Sequence, residues 1–174
     1  TCYLFLNYLF RNKWSATLGA FVFAFSLALQ SQVAHAQTYC RFPIPLAFYF
    51  ATRFFEEFRP KYFFLTLITW VYQTYCGFYH GLMLLLPLGL FLLITIFYRT
   101  ENLFSKLKDL KWLLQILLSA IINILILLPL LLPYMDRAKQ LGFYPYENIS
   151  SNVPTPLSYF FSWTGSLFWD FLNS

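Results

Sequence analysis

The basic residues of this chain are separated by long apolar runs, and they are shared unequally between alternate gaps. Nine of the twelve Lys and Arg residues lie in one set of gaps. These nine are Arg11, Lys13, Arg53, Arg59, Lys61, Arg99, Lys106, Lys108 and Lys111. The intervening gaps hold Arg41, Arg137 and Lys139. This alternation is typical of a multi-pass membrane protein, because short basic loops are retained on the cytoplasmic side during insertion.

Composition excludes two other classes of protein. Of the 174 residues, 59% are hydrophobic and 11% are charged, whereas about a quarter of a soluble domain is charged. A net charge of +5 could suggest a nucleic-acid partner, but such a site gathers its basic residues on one face. Here they are dispersed between apolar runs, so we predict no nucleic-acid partner.

The apolar runs predict an all-α fold, a polytopic transmembrane helical bundle of about five to six membrane segments with an outer-face C-terminal segment. A short interfacial helix is expected within 99–111, and a tight glycine turn at 77–81. The opening run 1–10 is about half a span long, and we interpret the chain as a fragment. The predicted spans are 14–29, 42–55, 62–75, 82–98 and 112–132.

Two domains are predicted, with the division after residue 134. Residues 1–134 form the transmembrane domain. Beyond Pro133 the chain gains charges and three prolines, which predicts a non-helical outer-face loop. The end of the chain is aromatic, with Trp163 and Trp169, and favours an interfacial or re-entrant segment. The second domain is therefore 135–174.

The three cysteines, Cys2, Cys40 and Cys76, have no metal-like spacing. The predicted topology puts Cys40 and Cys76 on the same, non-cytoplasmic side, which would allow a disulfide. We favour the alternative, that they are isolated small apolar residues.

Polar residues near the predicted outer boundary are the candidate substrate-binding groups, because polar groups are costly to hold there and often mark function. His35, Gln37, Tyr39 and Arg41 form a first cluster that could grip a sugar or a phosphate. A water-exposed loop without special function is the favoured alternative.

Two further clusters follow. Tyr79 could stack on a sugar, although an ordinary aromatic belt is the better interpretation, and His80 has no carboxylate nearby to make it a general base. Arg137 and Lys139 could neutralise a lipid-linked phosphate, or bind ordinary headgroups. Asp136 beside them is the local candidate for acid–base chemistry.

The order of several motifs resembles a group of bacterial polytopic proteins related to the GT-C glycosyltransferases. Each motif alone is weak, but their order and spacing run through nearly the whole chain. The motifs are Phe10-Arg11-Asn12-Lys13-Trp14, Ala24-Phe25-Ser26, His35-Ala36-Gln37, Pro43-Ile44-Pro45-Leu46, the aromatic hairpin 75–79, Leu130-Leu131-Leu132-Pro133-Tyr134, Leu141-Gly142-Phe143 and Pro156-Leu157-Ser158-Tyr159-Phe160. The chain departs from the group at Ser26-Leu27, which lacks a proline often found there.

The resemblance implies a bacterial inner-membrane enzyme that transfers a sugar from a polyprenyl-phosphate donor on the non-cytoplasmic face. Membrane lipid and the lipid-linked sugar are the expected partners. The catalytic carboxylate of such enzymes lies in the first outer loop, which we expect to precede Thr1, so no catalytic residue is assigned. No cofactor or metal ligand is predicted, and a divalent metal stays open as an alternative.

A non-catalytic function is the competing interpretation, either a lipid or glycan translocator or a scaffold subunit of an envelope complex. Transporters place polar sites near the bilayer midplane. Gln115, Ser119 and Asn123 form a polar ridge along the predicted span 112–132, but such a ridge more often makes helix–helix hydrogen bonds. We therefore rank transport below sugar transfer.

Overall fold

Every regular element in the part of the chain that the structure describes is an α-helix. The computed structural model describes residues 1–25, 39–98 and 100–142. The prediction of an all-α fold is confirmed for these ranges. The helices are α1 (Cys2–Phe10), α2 (Lys13–Phe25), α3 (Pro43–Glu57), α4 (Pro60–Cys76), α5 (Phe78–Tyr98), α6 (Thr100–Leu107) and α7 (Leu110–Leu141).

Chain reversals follow from local signals in the sequence. Arg11 adopts a left-handed conformation (φ 51°) at the end of α1, and its N–H donates to the Asn7 carbonyl. The Asn12 side chain then accepts from the Trp14 and Ser15 N–H groups at the start of α2, as an N-terminal cap does. Pro60 begins α4, a position where its missing N–H costs nothing.

The antiparallel helices bring three reversals to one end of the bundle. The Tyr8 hydroxyl donates to the Glu56 carboxylate, which joins α1 to the end of α3. The Trp112 indole Nε1–H donates to the Phe58 carbonyl at 2.7 Å, which joins the start of α7 to the same place. We call this the basic end, because Arg11, Lys13, Arg59, Lys61, Lys108 and Lys111 flank these three reversals.

The core has two parts. Ala47 and Ala51 of α3 pack against Leu84 and Leu88 of α5, where the small alanines let the helices approach. At the basic end, Phe54, Phe55 and Phe58 surround Trp112, whose ring stacks on Phe54 at a centroid distance of 6.1 Å. The second part fixes the start of α7 to α3.

The polar and apolar residues of α4 are distributed in the opposite way to those of a soluble helix. Thr66, Thr69, Gln73 and Thr74 are buried, and Gln73 is 0% exposed. Large apolar side chains elsewhere in the described ranges face outward, such as Leu86 at 71% and Phe97 at 78% exposure. Extensive exposed apolar surface marks a membrane or protein contact.

Two helices are long and apolar enough to cross a membrane, α5 and the stretch Leu110–Gln140 of α7. The prediction of about five to six membrane segments is not confirmed, because α3 and α4 have 15 and 17 residues. At 1.5 Å per residue they measure about 23 and 26 Å, less than the ~30 Å hydrocarbon core.

Two local predictions are corrected. The turn predicted at 77–81 is confined to Gly77, because α5 begins at Phe78 and includes Gly81. The chain predicted as non-helical beyond Pro133 continues α7 to Leu141, since Met135, Arg137, Ala138, Lys139 and Gln140 are good helix formers. Gly142, at φ +67°, ends the helix with an N–H bonded to the Ala138 carbonyl.

The short helix predicted within 99–111 is present as α6. Contacts divide the chain into two units, Thr1–Leu132 and Pro133–Ser174. The predicted domain boundary after residue 134 and its outer-face assignment stay predictions. The aromatic tail 157–172 lies outside the described residues.

Candidate functional site

An open cleft lies at the end of the bundle opposite the basic end, between α1, α2 and the segment that enters α3. Its volume is about 420 Å³. We call it the Arg41 cleft. Its lining residues include Tyr3, Phe23, Ala24, Tyr39, Arg41 and Phe42.

Arg41 is held in place by α2. Its Nη2 donates a hydrogen bond to the Phe23 carbonyl, and the guanidinium carbon lies 4.8 Å from the centroid of the Phe23 ring. A guanidinium over an aromatic face is attracted by the ring quadrupole. Arg41 is half-buried, so the charge is fixed at the cleft wall.

One of the described residues that line the cleft has a charged side chain. Of the side chains that line it in the described part of the chain, Arg41 carries the charge, and no carboxylate is among them. The walls are otherwise aromatic or small, with the Tyr39 hydroxyl as a polar group. A cation fixed among apolar walls favours an anionic group with an apolar attachment.

Two contacts join the Arg41 segment to the turn between α4 and α5. Cys40 Sγ lies 2.7 Å from Cys76 Sγ. The Phe42 and Tyr72 rings pack at a centroid distance of 5.7 Å. These contacts bring the segment that carries Tyr39 and Arg41 to the turn that leads into Tyr79 and His80.

The two residues of the second predicted cluster, Tyr79 and His80, differ in their exposure. Tyr79 is 73% exposed and packs edge-on against Phe78 at 6.0 Å, so its ring is accessible. His80 holds its Nδ1 buried, without a hydrogen-bond partner in the described part of the chain. Neither residue lines the Arg41 cleft.

The remaining predicted residues are not part of the described cleft. His35 and Gln37 lie outside the described residues. Asp136, Arg137 and Lys139 are exposed on the last turns of α7 and belong to the second unit. Within the described ranges, no three His, Cys, Asp or Glu side chains lie together as a metal site would need.

The sequence alone did not predict that α2 holds Arg41 through Phe23, or that the Gln73 amide is buried. Both amide atoms of Gln73 are buried without a hydrogen-bond partner among the residues described, although burying an unpaired polar group costs about 1–3 kcal/mol. Gln73 follows Thr66 and Thr69 at helical spacing. That spacing was the available signal, because it puts three polar residues on one face.

A network of charged and polar side chains lies at the basic end. Arg53 Nε donates to Glu57 Oε1 at 2.8 Å, and Arg53 also donates to the Tyr49 and Tyr62 hydroxyls at 3.2 and 2.8 Å. Arg59 Nε lies 3.2 Å from Glu57 Oε2. The bonds from Arg53 hold the pKa of the Glu57 carboxyl below its ordinary value. The charges are mutually satisfied, so we assign this network a structural role.

No protein-family model, curated protein or solved structure matches the chain. The relationship to the GT-C glycosyltransferases accordingly stays a prediction that rests on the motifs quoted above.

Proposed function

We propose that the chain is part of a multi-pass, bacterial inner-membrane glycosyltransferase that uses a polyprenyl-phosphate sugar on the non-cytoplasmic face. The Arg41 cleft would bind the donor phosphate. The observation that carries this proposal is the fixed Arg41 charge in a cleft with aromatic walls and no described carboxylate.

The chemistry of the cleft fits such a donor. Arg41 supplies a permanent cation for the phosphate, and a charge-assisted hydrogen bond of this kind is among the stronger polar contacts. Phe23, Phe42 and Tyr3 offer apolar surface to the adjoining lipid. The cleft volume lies within the range of about 300–1,000 Å³ that is usual for small-molecule sites.

Binding of a polyprenyl phosphate tests the assignment of Arg41. In nanodiscs containing the protein, Arg41→Ala should weaken binding by roughly 10- to 100-fold, the equivalent of the 1.5–3 kcal/mol typical of a hydrogen bond to a charged group. Lys108→Ala is the control, because it removes one cation at the basic end from an exposed residue that lines neither described cleft. Equal affinity of the two variants would contradict the assignment.

Sugar transfer needs its own measurement. Membranes containing the protein are supplied with a radiolabelled polyprenyl-phosphate sugar, and label that leaves the lipid is counted. Transfer should fall in Arg41→Ala and persist in Lys108→Ala. If polyprenyl phosphate binds through Arg41 but no label leaves the lipid, the protein is a lipid-binding subunit and not a transferase.

Lipid or glycan translocation is the second candidate, and one observation favours it. A cleft of about 440 Å³ at the basic end is lined by Arg59, Lys61, Gln115 and Ser119 among others. Asn123 continues this ridge one turn along α7, with its Oδ1 buried and unpaired among the described groups. A polar track beside a membrane helix could guide a headgroup.

The two candidates respond differently to substitution of the ridge. Ser119→Leu fills the polar track with an apolar side chain. A translocator should then move fluorescent lipid between vesicle leaflets more slowly, with Arg41→Ala unaffected. A transferase should show the reverse sensitivity in the sugar assay.

A further inference from the structure

We propose that Cys40 and Cys76 form a disulfide that ties the segment entering α3 to the turn between α4 and α5. The sequence alone favours isolated thiols, and the juxtaposition of the two sulfur atoms reverses that preference. The inference is independent of any phosphate bound in the Arg41 cleft.

The two sulfur atoms are already close. Their separation of 2.7 Å leaves less than about 1 Å of movement to reach a covalent S–S distance. The cysteines are 36 residues apart along the chain, so their proximity is produced by the tertiary fold.

A neighbouring contact holds the same two segments together. Phe42 lies two residues after Cys40, and its ring packs on Tyr72, one turn before Cys76. Because this packing does not depend on the sulfur atoms, it keeps the thiols near each other in the reduced protein.

The oxidation balances with a disulfide of the surrounding compartment as the co-reactant. The thiolate of one cysteine attacks that disulfide, forms a mixed disulfide and releases one thiol. The second cysteine then attacks the Sγ of the first, forms the bond between Cys40 and Cys76, and releases the other thiol of the oxidant. Two electrons and two protons pass from Cys40 and Cys76 to the oxidant, which becomes a dithiol or two thiols.

The Cys76 thiol is a poor first nucleophile in this exchange. Burial and its bond with Cys40 raise the pKa of the Cys76 thiol to about 11, so little of it is thiolate near neutral pH. This residue is therefore suited to the second step, in which Cys40 already carries the mixed disulfide.

Cys2 provides the internal control. It lines the Arg41 cleft together with Tyr39 and Arg41, the two neighbours of Cys40 in the sequence. The protein, purified in detergent, is equilibrated with excess oxidised glutathione, denatured in acid and then treated with maleimide. The adducts on the intact mass, including any retained glutathione, are counted at this point and again after reduction and a second maleimide treatment.

The expected result is a modification confined to Cys2 before reduction, and three maleimide adducts after it. Cys2→Ser should carry no modification before reduction. Cys40→Ser should expose Cys76 and give modification at two cysteines. The count is made on denatured protein, so it remains informative if a variant folds poorly.

Two outcomes would overturn the proposal. Retention of glutathione or maleimide on both Cys40 and Cys76 in the wild-type protein would show that the pair does not close. Modification of both in Cys2→Ser would show that the disulfide of the wild-type protein includes Cys2 and is not the Cys40–Cys76 pair.

Discussion

At Gly81, α5 approaches Thr74 of α4 so closely that replacing the glycine with alanine should separate the two helices. A Cβ at this position would lie 2.6 Å from the Thr74 Cα. Ordinary contact begins near 3.4 Å, so the backbones must move apart by roughly 1 Å to restore normal van der Waals distances. The hydrogen bond from Trp70 Nε1 to the Gly81 carbonyl, 2.9 Å long, spans the same contact.

Two opposing effects set the change in stability of Gly81→Ala. Alanine in place of glycine stabilises a helix by about 0.5–1 kcal/mol, whereas overpacking costs about 1–3 kcal/mol. Gly89 is the matched control on the same helix, because a Cβ there would meet nothing within 4 Å. Gly81→Ala should thus be less stable than Gly89→Ala by about 1–3 kcal/mol, the overpacking term alone.

The assay is equilibrium unfolding in mixed micelles with increasing denaturing detergent, followed by circular dichroism. Both variants carry the same chemical change, so the difference between them isolates the contact with Thr74. If Gly81→Ala is as stable as Gly89→Ala, the close approach of α4 and α5 is wrong.

Two further predictions concern the basic end. Trp112→Phe keeps the stack on Phe54 but leaves the buried Phe58 carbonyl without its donor, and should lower the free energy of unfolding by about 1–3 kcal/mol in the same assay. Trp14→Phe is the control, because this residue is 85% exposed and its replacement should change little. Equal losses of stability in the two variants would refute the role of the Trp112 hydrogen bond. The lowered pKa of Glu57 means that its carboxylate stabilises the fold above the unfolded value of 4.5 and loses this effect as the pH falls through the folded pKa. The stability difference between wild type and Glu57→Gln should accordingly be constant at neutral pH and shrink below about pH 4.5; a difference that grows on acidification would contradict the sign.

The sequence predicted helices well because apolar runs, prolines and asparagine caps act locally. Pro60 marks the start of α4, and Asn12 caps α2. The end of α7 differs from the prediction, because the helix continues past Pro133 to Leu141. A proline removes one backbone donor, and the helix-forming residues that follow it sustain the helix to Gly142.

The site was predictable only as a set of segments. Tyr39 and Arg41 were recognised from their position between apolar runs. Phe23, which contacts Arg41, comes from another helix, as do Cys76 and Tyr72, which contact the neighbouring Cys40 and Phe42. Which face of α2 meets Arg41 depends on how α1, α2 and α3 pack. No local pattern encodes that packing.

The buried threonines of α4 bear on the order in which the bundle assembles. Thr66, Thr69 and Thr74 each donate to the carbonyl four residues earlier, at 2.8, 2.6 and 2.9 Å. Such hydroxyls are satisfied before any neighbour arrives, so α4 could enter a bilayer alone at little cost from these groups. Gln73 is different, because neither its amide oxygen nor its amide nitrogen has a hydrogen-bond partner among the described residues, in its own helix or in a neighbouring one. If α4 inserts before the helices associate, the unpaired amide would favour association of the lone helix with the first helix or ligand that offers a polar partner.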